Sequence, residues 1–360
     1  MPQSASPIVV APLLEPKPWG GRRLAHWGIV LPSSEAIGEA HLAASQVTVA
    51  SGALAGLSLD ELARRDPDTW IGRRGLEATC GRAIFPLLIK LIAAETDLSI
   101  QVHPDDRAAA AAGLGTGKTE AYFILAAEAG SVIFLGLEPG LAIADLAAAC
   151  RRGDGTAPGL LRQIPAEAGM TVLIPAGTVH ALGAGITVYE IQQPSNTTYR
   201  LDDWGRVDAA GASRALHHDQ GFAVAAPHMR PESIPPVTLA VGAARRDLLV
   251  ATPYFALERF AIAASGVATL DPVESPQALT CIKGDVVVDA PASEIALSLG
   301  ETAVVPAQLL VALRGSSNGV VLRGWVPDLE HDVRLPARAA GVQEKLLQRL
   351  IWTPPQSSVS

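Results

Sequence analysis

Gln101 and His103 lie two residues apart in Ser99-Ile100-Gln101-Val102-His103-Pro104-Asp105-Asp106. The segment reads as a strand, so both side chains leave the same face. Farther along come Gly117-Lys118-Thr119-Glu120 and Ile174-Pro175-Ala176-Gly177-Thr178-Val179-His180, each following or sitting on strand-like sequence. Gln101, His103, Glu120 and His180 together make a set of nitrogen and oxygen donors with one neutral oxygen among them. Such a set suits a catalytic divalent metal, zinc best of all, and leaves a position open for water or substrate.

The elements that must position these residues are short strands. Apolar, β-branched runs bounded by Gly and Pro occur at 83–92, 99–103, 121–126, 131–135, 171–174 and 186–192, which predicts a mainly β core. Between 141 and 164 the apolar positions fall at helical spacing in Ala-rich sequence broken at 153–159, which predicts a pair of short helices as an insertion near 138–165. A further helix is expected over 58–65, where Ser58 can cap and Glu61 stands three residues on.

An internal echo sets the larger organisation. Gly169-Met170-Thr171-Val172-Leu173-Ile174-Pro175-Ala176 matches Gly300-Glu301-Thr302-Ala303-Val304-Val305-Pro306-Ala307 at one constant offset, residue 169 against 300. The same offset sets His180 against Val311, so a repeated barrel is expected, with an apolar residue in the second copy where the first has a ligand. The proline-rich stretch 229–236 reads as the linker between copies. The predicted architecture is mainly β with two barrels. Residues 1–228 carry the N-terminal region and the metal-binding barrel, 229–335 a second, metal-free barrel, and 336–360 a short helix near 342–351 with a polar tail.

Linked motifs along the chain make it similar to a known family. Pro86-Leu87-Leu88-Ile89-Lys90-Leu91-Ile92, Leu98 to Asp106, Gly117 to Glu120 and Pro175-Ala176-Gly177-Thr178-Val179-His180-Ala181-Leu182-Gly183 closely resemble type I mannose-6-phosphate isomerases of the bacterial, cupin-fold kind. Glu190-Ile191-Gln192-Gln193 and Thr197-Thr198-Tyr199-Arg200-Leu201-Asp202-Asp203-Trp204-Gly205-Arg206 resemble that family's strand and arginine-bearing loop after the last metal histidine. The resemblance spans roughly residues 10 to 330. It implies two cupin-type jelly-roll barrels, one zinc ion held by Gln101, His103, Glu120 and His180, and aldose–ketose isomerisation of mannose 6-phosphate through an enediol. Lys17-Pro18-Trp19-Gly20-Gly21 is similar to the family's N-terminal tryptophan-glycine turn, expected to pack near the barrel.

That reaction moves a proton between C1 and C2 and needs a polarised pair of oxygens and a proton shuttle. A metal supplies the first. Candidates for the second are Lys118, Asp203, Glu190 and a metal-bound water. Arg200 matches the family's active-site arginine and suits steadying the enediolate, while Arg206 or Lys118 could meet the phosphate. His217 and His218 are adjacent, point to opposite faces if extended, and read as structural. Two departures bear on the sugar: Gly38-Glu39-Ala40-His41 stands where the family usually reads Gly-Glu-Ser-Trp, and Ala121 follows the metal glutamate in place of an aromatic residue or Met. Other readings are isomerisation of a different aldose or pentose at the same metal, and a non-catalytic sugar-binding cupin.

Composition narrows the field further. With 360 residues, 49% of them hydrophobic, the chain can bury a large core. A net charge of −8 without a Lys/Arg run excludes nucleic acid and anionic membrane as main partners, leaving a small sugar phosphate. The start of the chain lacks a basic segment and its apolar run is cut by prolines, which fits neither a signal peptide nor an anchor. Cys80, Cys150 and Cys281 are odd in number and far apart, as expected of a reducing cytoplasm, and are each read as small buried hydrophobes.

Overall fold

Short β-branched runs punctuated by glycine and proline fold as strands, and the computed structural model describes residues 6–208 and 210–355 as four sheets with few helices. Two compact units emerge. One comprises Leu14–His41 and Ile89–Ser233, the other the described parts of Met1–Leu13, Leu42–Leu88 and Ile234–Ser360. The cut after Ser233 falls within the proline-rich 229–236 segment. Residues 6–13 and 42–88, however, join the C-terminal unit instead of the stretch up to 228. The reason is pairing: Ile8–Ala11 lies antiparallel to Thr302–Val305, and Thr48–Val49 pairs with Ile8–Ala11 in turn.

In the unit holding the ligand-type residues, a seven-stranded sheet runs in the order Ser233–Ile234, Thr171–Ile174, Glu120–Ala127, Ile186–Gln192, Leu88–Ala93, Ile37–Ala43, Leu13–Gly21. A five-stranded sheet runs Tyr199–Asp202, Ile100–Val102, His180–Leu182, Val132–Leu137, Leu161–Pro165. One core joins them, with Tyr122, Ile124 and Val172 from the first meeting Ile133, Leu135 and Leu182 from the second. Burying each such side chain contributes about 1.5–3 kcal/mol. Trp19 belongs to this core and sits in a strand, where a turn was expected.

The other face of the five-stranded sheet is covered by the helix Ile143–Arg152, whose Leu146, Ala149 and Cys150 pack on Ile100, Phe134 and Ala181. The expected helix pair is thus one helix. Pro158 and Gly159 fall in a 3-10 turn, Ala157–Leu160, and the apolar residues after it extend as the strand Leu161–Pro165 against Val132–Leu137. The helix expected over 58–65 forms as Leu59–Arg65, with Ser58 and Glu61 making a reciprocal capping box.

The second unit has an eight-stranded and a four-stranded sheet sharing a core of Phe260, Leu279, Val288, Leu313 and Val321. The echo is structural: Gly169 and Gly300 take the same left-handed turn (φ 89° and 86°) before strands of equal length, Thr171–Ile174 and Thr302–Val305. A helix at Glu344–Leu350 ends the fold, and the expected polar tail at 356–360 lies outside the described residues. Among the described residues no helix is long and apolar enough to cross a membrane.

Candidate metal centre and active site

Strand register gathers the ligand-type side chains. In the five-stranded sheet Gln101 pairs with His180 on one side and Arg200 on the other. Directly paired residues project from one face, so Arg200, Gln101 and His180 form a row across three strands. In the seven-stranded sheet Glu120 pairs with Gln192 and Tyr122 with Glu190, putting all four on one face. Tyr122 and Leu182, two residues beyond Glu120 and His180, meet in the shared core, so the two polar sets face each other at its edge. His103, one residue past its strand, is held there by the Gly177 N–H, which donates to its carbonyl at 2.9 Å.

His180 Nε2 lies 3.0 Å from Glu120 Oε1, and His103 Nε2 3.5 Å from Glu120 Oε2. One ligand atom from each of these three falls within 4.8 Å of the others. The Gln101 amide adjoins them at 3.3 Å from His180 Nε2.

The donors fit a divalent ion. His103 Nδ1 faces the Thr197 carbonyl and His180 Nδ1 the Thr178 carbonyl, each at 2.9 Å. A carbonyl only accepts, so each Nδ1 carries the proton and each Nε2 turns its lone pair into the cluster. Glu120 is fully buried, and its two carboxylate oxygens meet Lys118 and the two histidines. Burial, with the Lys118 ammonium nearby, pushes His103 down to about 3. Burial would raise Glu120, but Lys118 and His103 hold it well below the usual carboxylate range. Neutral imidazole and ionised carboxylate are the states a metal requires. Lys118 reaches in from the turn before the strand, its Nζ 2.7 Å from Glu120 Oε2 and 3.2 Å from His103 Nε2.

A second set of charges adjoins the first, and although Glu190 was a sequence candidate, its linkage through Lys90 to Glu39 and His41 was not foreseen. Lys90 is buried with its Nζ 3.4 Å from Glu190 Oε1 and 3.5 Å from Glu39 Oε2, and His41 Nε2 lies 3.2 Å from the same Glu39 oxygen. His41, noted on sequence only as a departure from the family pattern, therefore belongs to this network. One signal was available: Lys90 is a lone charge inside Leu87-Leu88-Ile89-Lys90-Leu91-Ile92. Burial, together with Glu120 and Glu39, raises the Glu190 carboxyl against the pull of Lys90. Ala121 alternates with Glu120 and so projects from the opposite face, away from the cluster.

Arg200 donates from Nη1 to the Ala215 carbonyl at 2.8 Å and from its backbone N–H to His217 Nδ1 at 3.1 Å, while its buried Nε has no partner. His218 Nε2 binds the Leu201 carbonyl, so both histidines brace this strand, one capping and one starting the helix His218–Val224; they are not on a strand as expected. Asp203 and Arg206 are placed elsewhere. A bulge between Arg200 and Asp202 turns the chain, Asp203 is clamped by Arg214, and Arg206 donates to the Asp97 carbonyl. Both line a separate cavity of about 250 Å³ that none of the four ligand-type side chains lines.

Register also identifies the counterparts in the second unit. Ile174 pairs with Glu120 as Val305 pairs with Gln277, and His180 pairs with Gln101 as Val311 pairs with Leu270. Glu120, His180 and Gln101 thus correspond to Gln277, Val311 and Leu270.

Comparison with known proteins agrees with this geometry. A sequence model of the phosphomannose isomerase type I catalytic domain matches residues 14–125. Mannose-6-phosphate isomerase of Streptococcus mutans is 35% identical over 267 residues, covering 72% of this chain and 80% of that protein. A probable mannose-6-phosphate isomerase of Bacillus subtilis is 34% identical, covering 71% and 80%. The crystal structure of mannose 6-phosphate isomerase from Bacillus subtilis superposes with a TM-score of 0.78 at 29% identity, over 89% of this chain and 99% of that one. A putative mannosephosphate isomerase from Archaeoglobus fulgidus, 21% identical with a TM-score of 0.68, shares the fold. By sequence, architecture and the shared catalytic-domain match, the chain belongs to the type I phosphomannose isomerases, a family of enzymes.

Proposed function

We propose that this protein interconverts mannose 6-phosphate and fructose 6-phosphate through an enediol, using one zinc ion held by Gln101, His103, Glu120 and His180. The observation that carries the reading is the buried His103–Glu120–His180 cluster, with both Nε2 atoms inward and both facing the Glu120 carboxylate. When bound, a divalent ion supplies a Lewis acid for the oxygens on C1 and C2. Lys118, in contact with Glu120, is the proposed proton shuttle. Arg200 shares the face of Gln101 and His180 and keeps a buried Nε free, which supports its proposed role of steadying the enediolate. Glu190, held by Lys90, is proposed to orient a sugar hydroxyl.

Asp203 was expected to contact the substrate or handle its proton and Arg206 to meet the phosphate; their bonds to Arg214 and Asp97 better support a role in fixing the loop that anchors Arg200. Each pair of sheets is read as a cupin-type jelly roll, the second without metal, since an amide and two aliphatic side chains replace the ligands. Three free cysteines support a reducing, cytoplasmic setting.

One observation favours a second reading of the substrate. His41 replaces the usual aromatic residue and is tied to Glu39 and, through it, to Lys90 and Glu190, so the sugar acted on can differ at the same metal.

Proton NMR of metal-analysed protein in deuterated water, with mannose 6-phosphate and free mannose in parallel, tests both readings. Conversion to fructose 6-phosphate with deuterium at C2, stopped by a chelator and restored by zinc, is the expected result. A zinc-loaded sample that turns over neither sugar would leave a different aldose or a sugar-binding role.

A further inference from the structure

The cavity that Asp203 and Arg206 line lies between the end of the helix Ile143–Arg152 and the loop after Tyr199–Asp202, and encloses about 250 Å³. Its charges cancel. Asp203 is clamped by Arg214 and lies 3.6 Å from Arg206 Nη1, and with Asp202 the wall carries two carboxylates and two guanidinium groups, so neither an anion nor a cation has an advantage there.

What remains unspent is polar and of both kinds. Arg206 keeps a buried Nη1 that makes no hydrogen bond and stands 3.6 Å from Asp203 Oδ1, beyond hydrogen-bond distance. Asp202 is 7% exposed and gives one oxygen to the Trp204 N–H at 2.7 Å, leaving the other as an acceptor. Ser213 adds a hydroxyl, and Trp204 and Leu216 add apolar surface. Cys150 also lines the wall, but burial pushes its thiol up to about 12, which makes it an inert neighbour and not a nucleophile.

We infer that this cavity is a second small-molecule site for a neutral polyhydroxylated compound of monosaccharide size, distinct from the metal cluster. Convergent donors and acceptors beside an aromatic wall are what recognise such a compound. Its occupant would brace the loop that ends at Ala215, the carbonyl that receives Arg200 Nη1.

The test uses full-length protein labelled with 5-fluorotryptophan, the Trp204 signal being assigned with Trp204→Phe. Mannitol is the probe because it is neutral and has no carbonyl to isomerise. A saturable shift of the Trp204 signal is expected in the wild type and in His180→Ala. Binding weaker by about tenfold or more is expected in Leu216→Trp and, independently, in Ser213→Leu, both on exposed loop positions. Absence of a saturable shift in the wild type, equal affinity in both filled variants, or loss of the shift in His180→Ala would overturn the proposal; the last result would mean that mannitol acts from the metal cluster. Because the readout is binding at Trp204, a failure of the proposed isomerase reaction would leave it unaffected.

Discussion

Lys90 is 5% exposed, and among the described residues Glu39 and Glu190 form its ion pairs, with Glu120 adding to the balance. A buried ion pair adds little net stability, but removing one partner strands the other in a medium that cannot solvate it. Lys90→Met is therefore expected to destabilise the fold by about 3–5 kcal/mol, read as a lower denaturation midpoint in urea, whereas Lys90→Met combined with Glu39→Gln should recover part of that loss. Glu39 also sets an acid limit. Burial would raise its carboxyl, yet Lys90, His41 and Lys17 hold it well below its ordinary value of 4.5. A depressed carboxyl contributes stability that is complete above the unfolded value and disappears as pH falls toward the folded one. The thermal midpoint of the wild type should thus decline below about pH 5 more steeply than that of Glu39→Gln; parallel curves would show that Glu39 is not held ionised.

Among the elements, the turn leading to Glu120 is closely packed against backbone. A Cβ on Gly117 would fall 2.5 Å from the Asp105 carbonyl carbon and 2.6 Å from the Asp106 nitrogen, both backbone atoms with little room to yield. Gly117→Ala should cost about 1–3 kcal/mol and lower kcat as well, because the displaced turn carries Lys118; unchanged stability and rate would mean that the turn relaxes freely. Much at this scale was legible beforehand. Apolar, β-branched runs bounded by Gly and Pro gave Thr171–Ile174 and Ile186–Gln192 to the residue, and Ser58 with Glu61 marked the helix start, because these signals are local. Gln101, His103, Glu120 and His180 could be grouped for a related reason: each lies in a short local motif on or beside a strand, and those motifs resemble a known family. The Lys90–Glu39–His41 network could not, since it depends on which strands lie side by side, and that is settled by tertiary pairing. The pairing of Ile8–Ala11 with Thr302–Val305 was hidden likewise, and so was the exposure of Cys80, which occupies a left-handed turn (φ 54°) in place of a core position.

For the whole molecule, burial divides the three cysteines: Cys80 is exposed while Cys150 and Cys281 are buried, with thiols pushed up to about 12 and about 11. A thiol reagent at mild alkaline pH should accordingly titrate one group in the native protein and all three in denaturant. The same partition governs metal binding. Every ligand-type residue belongs to the unit of Leu14–His41 and Ile89–Ser233, while the corresponding positions of the other unit hold Leu270, Gln277 and Val311. A metal that binds only the folded site stabilises that site by mass action, and a unit with its own core need not share the gain. Hydrogen exchange should therefore slow on adding zinc in peptides spanning 98–104, 118–126 and 176–192. Peptides spanning 256–262 and 319–325 should be unchanged. A chelator should reverse the protection and His180→Ala should abolish it. Equal protection of both sets would show that the two units open together, and none in either would remove zinc from the cluster.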